Sequence, residues 1–390
     1  MAKRVGMEVS IAAAEAVKQA NVDVISAYPI TPQTHIVEHL SELVANGELE
    51  AEFIPVESEH SALSVCVGSE AVGARSFTCT SSQGLALMSE ITYIVSSMRL
   101  PMVMIVANRA LSGPISIWND HSDVMLIRDC GWIQLFAENG QDAYDNVFCA
   151  YRLAEDHKVL LPVIINMDGF ILSHMIEPIE FLEQEKVQQF LPRYRPLHRL
   201  HPDSPVTMGG IALPGIYLET KKAQEVAILS SMPTILETWK AFGDMTGRYY
   251  SPVEAYKNKD AETMLVTMGS FGETASVAVD MMREEGRSVG LAKIRLWRPF
   301  PFDAFKSAAL QAKRLVVIDR ALSIGAGGPV AAEVKASLYG EAERPSVYNF
   351  VAGISGRDVT PSDFIRMVDK AESEIKEGNR EGYELYGVRG

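Results

Sequence analysis

A chain of 390 residues has the length of two or three domains, and 47% hydrophobic with 22% charged residues gives it a real core and excludes a disordered chain. Fifty acidic against 36 basic residues leave a net charge of −14 with no concentration of Lys and Arg, which excludes a phosphate-backbone footprint for nucleic acid. The longest apolar runs, 100–107 and 159–167, fall far short of the roughly 18 to 20 residues of a membrane helix.

Taken in order, helical and extended signals alternate. Glu8 and Glu15 interrupt the start, so 1–16 reads as an amphipathic helix and not a signal peptide, and a cytoplasmic location is expected. Apolar positions recur at helical spacing over 6–19, and 22–27 reads as a buried strand. A helix is expected over 32–43, a strand over 51–56, a helix rich in small residues over 57–72 and a strand over 75–80. A helix over 83–98, strands over 101–107 and 132–137, a helix over 142–155 and a strand over 161–166 follow. Near-continuous apolar strands separated by helices predict a doubly wound parallel sheet covered on both faces. Ligands of such sheets sit beyond the carboxyl ends of the strands, so chemistry is sought in the loops there.

Between 173 and 256 the rhythm is lost. Pro178, Pro192, Pro196, Pro202, Pro205 and Pro214 interrupt regular structure, and a helix-like stretch over 219–242 carries Pro233 as an expected kink. This reads as a connection wrapping over a neighbour. Alternation resumes near Ala261, with strands over 264–268, 289–294, 315–319 and 347–351 and helices over 273–285, 302–312 and 330–337. The reading is α/β throughout: a first domain over 1–175, an extended connection over 176–258 and a smaller α/β domain over 259–390.

Four loops follow predicted strands. Ala27 to Thr34, A-Y-P-I-T-P-Q-T, is stiffened by two prolines and can hold the Thr31 hydroxyl towards a ligand, although a plain strand-to-helix turn has the same pattern. In Pro55 to Ala62, Glu57 complements a helix start. Glu59 is followed by Ala62, Leu63, Val65, Cys66 and Val67, and a carboxyl desolvated on that inward side seeks a donor. Thr80-Ser81-Ser82-Gln83-Gly84 is a polar turn into a helix whose free amides suit an anion. In 107–123, Arg109 emerges from an apolar strand and needs an anionic partner, either an internal Asp or a substrate carboxylate. His121 there reads first as a hydrogen-bonded loop residue, with a metal ligand or proton shuttle as the sharper reading.

Other signals are negative. Cys66, Cys79, Cys130 and Cys149 stand 13, 51 and 19 residues apart, with no C-x-x-C, and read as reduced thiols in or near the core. Position 330 is Val where a third glycine of G-x-G-x-x-G would fall, and G-R-S-V-G at 286–290 precedes a strand instead of following one.

These loops, together with Lys293 to Pro301 and Gly356 to Thr360, carry a family resemblance over nearly the whole length. The chain resembles the α subunits of the multi-subunit 2-oxoacid:ferredoxin oxidoreductases, and among them most the pyruvate enzymes. The resemblance implies a first domain like the pyrimidine-binding domain of thiamine-diphosphate enzymes and a last domain like the transketolase C-terminal domain. In the family a partner chain holds the diphosphate and its divalent cation through a G-D-G…N motif. This sequence has no Gly-Asp-Gly, so half of the cofactor site is expected here. Mg2+ and 4Fe–4S clusters are implied in partner subunits, with a β subunit, γ and δ subunits, ferredoxin as electron acceptor and coenzyme A as co-substrate. No metal ligand is expected in this chain.

By motif position, Glu59 is implied as the acid hydrogen-bonded to the aminopyrimidine N1′, with Pro29, Ile30, Ser82 and Gln83 also beside the cofactor. Thr31 and Arg109 are implied to hold the substrate carboxylate, making Glu59, Arg109 and Thr31 the expected catalytic set. The compact segment from Leu111 to Trp118 resembles the pyruvate enzymes, and the branched-chain 2-oxoacid enzymes are the alternative. Two readings from other classes stay open on the residues: a non-catalytic assembly subunit, and a nucleotide-binding α/β protein unrelated to thiamine.

Overall fold

The computed structural model describes residues 3–379 and 382–389. Strand β1 (Lys3–Glu8) leads into helix α1 (Val9–Gln19). The helix expected from residue 6 therefore starts later, because Gly6 to Glu8 are drawn into an antiparallel ribbon. Then follow β2 (Val24–Ala27), α2 (Thr34–Ala45), β3 (Glu52–Pro55), α3 (Glu59–Ala71), β4 (Ser76–Thr80), α4 (Ser82–Ser97) and β5 (Val103–Asn108). After these come α5 (Ser122–Leu126), β6 (Ile133–Phe136), α6 (Gly140–Ala154) and β7 (Val163–Asp168).

The connection holds more structure than its prolines suggest. Strand β8 (Ile176–Phe181) pairs with β1 in that ribbon, and α7 (Gln184–Phe190) follows. The helix expected over 219–242 with a kink is two helices, α8 (Pro214–Leu229) and α9 (Met232–Thr246), broken at Ser230 and Ser231. Pro233 sits in the first turn of α9, where a missing N–H costs nothing. Helix α8 buries only Ala227, whereas α9 packs Ile235, Trp239 and Phe242 into the core.

The last unit comprises β9 (Val253–Tyr256), β10 (Thr263–Met268), α10 (Phe271–Glu284), β11 (Val289–Ile294), β12 (Leu296–Arg298), α11 (Phe302–Ala309) and β13 (Arg314–Asp319). It ends with α12 (Pro329–Leu338), β14 (Ser346–Val351), α13 (Pro361–Lys376) and β15 (Tyr383–Leu385). Helix α13, absent from the sequence reading, starts with a capping box between Thr360 and Asp363.

Two sheets result. The first has the order β12-β6-β7-β5-β4-β2-β3, parallel except for β12, and the second the order β15-β14-β13-β10-β11-β9, parallel except for β9. Strands β5 and β7 are buried along their full length, as both-faced coverage by helices requires. Strand β12 is a surprise: it lies within the last unit yet adds to the edge of the first sheet. It takes Trp297 into an apolar cluster shared by Phe136 and Ile164 of the first sheet and Val266 and Ile294 of the second. Arg295 beside it bonds Glu138 and Asp142, so the two sheets are joined by charge as well as packing.

Candidate active site

Strands β5, β4, β2 and β3 are neighbours and parallel, so their carboxyl ends deliver all four loops to one edge of the sheet. In the loop after β2, Tyr28, Pro29 and Thr31 are exposed and Ile30 is half-buried. Buried Gln33 closes this loop on itself: Nε2 donates to the Tyr28 carbonyl at 2.7 Å and the backbone N–H to that of Ile30 at 2.9 Å. The Thr31 hydroxyl has no partner among the described residues.

Arg109 follows β5 and is only 6% exposed. Its Nε donates to the Ser116 carbonyl at 2.7 Å and its Nη1 to the Thr31 carbonyl at 3.0 Å. Among the described residues no carboxylate comes within ion-pair distance, so the internal acidic partner left open by the sequence is absent. Burial lowers the proton affinity of the guanidinium, with the charge of Asp123 opposing. A cation this dry calls for an anion from outside the chain.

Glu59 opens α3, with Ser58 as the cap accepting the Ser61 N–H at 3.2 Å. Its side chain turns inward as the apolar run implies and is 7% exposed, while Glu57 stays outside and accepts from the Ser61 hydroxyl. No donor among the described residues reaches the Glu59 carboxylate. It rests on Gly84, where a Cβ would stand 2.7 Å from its Cγ and Oε1 and would also strike the Thr80 hydroxyl. The Thr80 and Ser81 hydroxyls are buried without partners. A carboxyl and two hydroxyls left unsatisfied in one place are the mark of a site that a ligand completes. Ser82 differs: its hydroxyl lies 2.6 Å from both the Ala110 carbonyl and Gln83 Oε1, so it ties the turn to the Arg109 loop.

The sequence pattern draws attention to His121 and passes over Asp123, two residues on. Asp123 accepts the backbone N–H of Ser82 at 3.0 Å, of Arg109 at 2.9 Å and of Val124 at 2.7 Å, and Asn108 Nδ2 at 3.0 Å. The signal available was an acidic residue at the start of a short helix immediately after the arginine loop. His121 is the hydrogen-bonded loop residue expected: its Nε2 lies 2.6 Å from Asp168 Oδ1. Asp168 also pairs with Arg320 and accepts the Ser270 N–H at 2.9 Å. Burial alone would raise its proton affinity, but Arg320 and His121 hold the carboxyl below the ordinary range.

Comparison with known proteins gives this geometry its family. The model for the thiamine-diphosphate-binding region of pyruvate flavodoxin/ferredoxin oxidoreductases matches residues 15–237, and that for pyruvate:ferredoxin oxidoreductase core domain II matches residues 261–364. The chain belongs to the pyruvate:ferredoxin oxidoreductase family. It is 47% identical over 376 residues to pyruvate synthase subunit PorA of Pyrococcus furiosus, covering 96% of this chain and 95% of that one. To the PorA subunit of Thermotoga maritima it is 48% identical over 370 residues, 95% and 94% of the two chains. Ketoisovalerate oxidoreductase subunit VorA of Pyrococcus horikoshii is 42% identical over 369 residues, 94% and 93% of the two chains.

Solved structures agree on the fold of this oxidoreductase chain. A 2-oxoglutarate:ferredoxin oxidoreductase from Magnetococcus marinus superposes with a TM-score of 0.71 at 19% identity, over 94% of this chain and 65% of that one. A split-gene transketolase, an inactive tetramer, gives 0.56 at 13% identity over 95% and 99%. The α/β architecture, a doubly wound thiamine-type domain followed by a transketolase-like one, is therefore as the sequence implied. Among the described residues no helix is long and apolar enough to cross a membrane.

Proposed function

We propose that this chain is the catalytic α subunit of a pyruvate:ferredoxin oxidoreductase, in which pyruvate and coenzyme A give acetyl-CoA and CO2 with reduction of ferredoxin, reversibly. One observation carries this reading: Arg109 is buried without a carboxylate partner beside the exposed Thr31, on the same sheet edge as the donor-free carboxyl of Glu59. A 2-oxoacid supplies the missing negative charge through its carboxylate, and thiamine diphosphate supplies the missing donor through its aminopyrimidine.

The residues fit that cofactor. Glu59 would hydrogen-bond the pyrimidine N1′ and hold the proton there, and Pro29 and Ile30 would line the ring. Gln83, in the first turn of α4 at that sheet edge, accepts the Ser82 hydroxyl and would also stand beside the cofactor. When bound, thiamine diphosphate supplies the electron sink that lets a 2-oxoacid lose carbon dioxide. Arg109 and the Thr31 hydroxyl would orient the carboxylate for that loss, and burial of the guanidinium strengthens its grip.

A β subunit would anchor the diphosphate with Mg2+ and carry 4Fe–4S clusters, and γ and δ subunits would complete the complex that ferredoxin meets. All four cysteines here are buried, and burial pushes the Cys130 thiol up to about 12, which suits core packing better than cluster ligation. The test is to copurify the chain with its partners and rank pyruvate, 2-oxoisovalerate and 2-oxoglutarate by kcat/KM. Pyruvate first supports the proposal, and 2-oxoisovalerate first transfers the chain to the branched-chain enzymes. Assembled Glu59→Gln and Arg109→Ala complexes that kept full pyruvate-dependent ferredoxin reduction would leave it a non-catalytic assembly subunit.

A further inference from the structure

Glu8, His35 and His174 come from three distant segments and converge. Glu8 ends β1, His35 is the second residue of α2, four positions after Thr31, and His174 lies in the turn between β7 and β8. One ligand atom from each lies within 4.8 Å of the other two, and all three residues are half-buried. Among the described residues no other group of three His, Cys, Asp or Glu side chains converges this closely.

The rings are held in place by their surroundings. His35 Nδ1 lies 2.6 Å from Glu8 Oε1, and the two imidazole centroids are 4.6 Å apart. The His174 ring also packs against Phe170, with centroids 4.6 Å apart. Its Nδ1 meets the Ser173 hydroxyl at 2.8 Å, and that hydroxyl accepts the Phe170 N–H at 2.9 Å. A hydrogen bond on one ring nitrogen orients the ring and leaves the other for an ion, which is how metal-binding histidines are held.

We propose that Glu8, His35 and His174 form a binding site for a divalent transition metal of zinc type. Two imidazole nitrogens and one carboxylate make a borderline-soft set that suits Zn2+ and leaves a fourth position open, whereas Mg2+ and Ca2+ prefer oxygen. The ligand atoms already lie within 4.8 Å of one another, and an ion would replace the direct His35–Glu8 hydrogen bond. The ion would clip the β1–β8 ribbon to the first turn of α2, the helix that the Thr31 loop enters. This site is independent of the thiamine chemistry.

Crystals of the assembled complex soaked in ZnCl2 and measured on both sides of the zinc absorption edge test it, because iron shows no step at that edge. An edge-dependent peak bounded by the three side chains is expected. A zinc peak elsewhere, or none, overturns the proposal. In parallel, the full chain competes with a chromophoric chelator for Zn2+. Glu8→Gln and the double variant His35→Gln/His174→Gln are expected to bind about 10-fold or more weakly, and variants that bind as tightly as the native chain overturn it as well.

Discussion

The carboxylate of Asp123 accepts the backbone N–H of Arg109 at 2.9 Å through the same Oδ2 that accepts the N–H of Ser82 at 3.0 Å. One buried group thus sets both the strand exit that aims Arg109 and the helix start that places Gly84 under Glu59. Burial pushes its carboxyl up to about 6, against ~3.9 for a free Asp. A value raised in the fold means that the folded chain takes up this proton before the unfolded one. The group's contribution to stability is therefore complete below about pH 4 and is lost as the pH rises through about 6. Asp123→Asn removes the titration while keeping the shape. The stability of the native chain relative to this variant, from urea unfolding, should fall by ~2 kcal/mol between about pH 4.5 and 7.5. A flat difference would contradict the assignment.

Arg109→Lys keeps a positive charge and discards the planar fork that reaches the Thr31 and Ser116 carbonyls together. Truncating a desolvated charge partner outright costs about 2 to 5 kcal/mol; losing the fork while keeping the charge should cost the lower end, so kcat/KM for pyruvate should fall roughly 30-fold. Thiamine-diphosphate affinity, measured by calorimetry on the assembled complex, should remain near that of the native enzyme. A joint loss of both would mean that the arginine supports the whole pocket and not the substrate end.

The parallel, doubly wound character of the first sheet was legible because buried strands leave unbroken apolar runs, and the four loops were legible because each follows a predicted strand; the strand order was not read. The inward turn of Glu59 was legible from the apolar residues after it, and the burial of Arg109 from the strand before it. Strand β1 was not, because Gly6 to Glu8 continue the helical apolar spacing of α1 and only the distant 176–181 segment pulls them straight. Strand β12 escaped for the same reason, since Leu296 to Arg298 pair with a strand more than 150 residues earlier. Asp123 was missed because a buried carboxylate whose partners are backbone amides has no side-chain signature in the sequence.

Gly84→Ala tests whether the close approach of α4 to Glu59 is needed. In an ordinary helix the change stabilises by about 1 kcal/mol. Here the new methyl would strike the Thr80 hydroxyl and meet Glu59 Cγ and Oε1 at 2.7 Å, so the whole Glu59 side chain must move. Thiamine-diphosphate affinity should drop about 10-fold or more, which corresponds to roughly 1.4 kcal/mol. The chain without cofactor should not gain that stabilisation, and its melting temperature should fall, because the methyl also strikes the buried Thr80 hydroxyl. Unchanged cofactor affinity would show that Glu59 does not need the place it occupies.

Asp168 and Arg320 form a buried ion pair between the two α/β units, with His121 and Ser270 completing the acceptor positions of the carboxylate. Arg320 also stacks on Phe271, 3.5 Å from its ring centroid, so its charge is screened by protein on every side. Removing one member leaves the other charged and dry, and Arg320→Met alone should cost about 3 to 5 kcal/mol. Asp168→Asn in the same chain removes the orphaned charge while its amide can still accept from Ser270 and donate to His121. The double variant should therefore be more stable than the sum of the two single losses by more than ~1 kcal/mol, measured in a double-mutant cycle of unfolding. Additivity within about 0.5 kcal/mol would mean that the two groups are stabilised separately and that apolar packing alone docks the units.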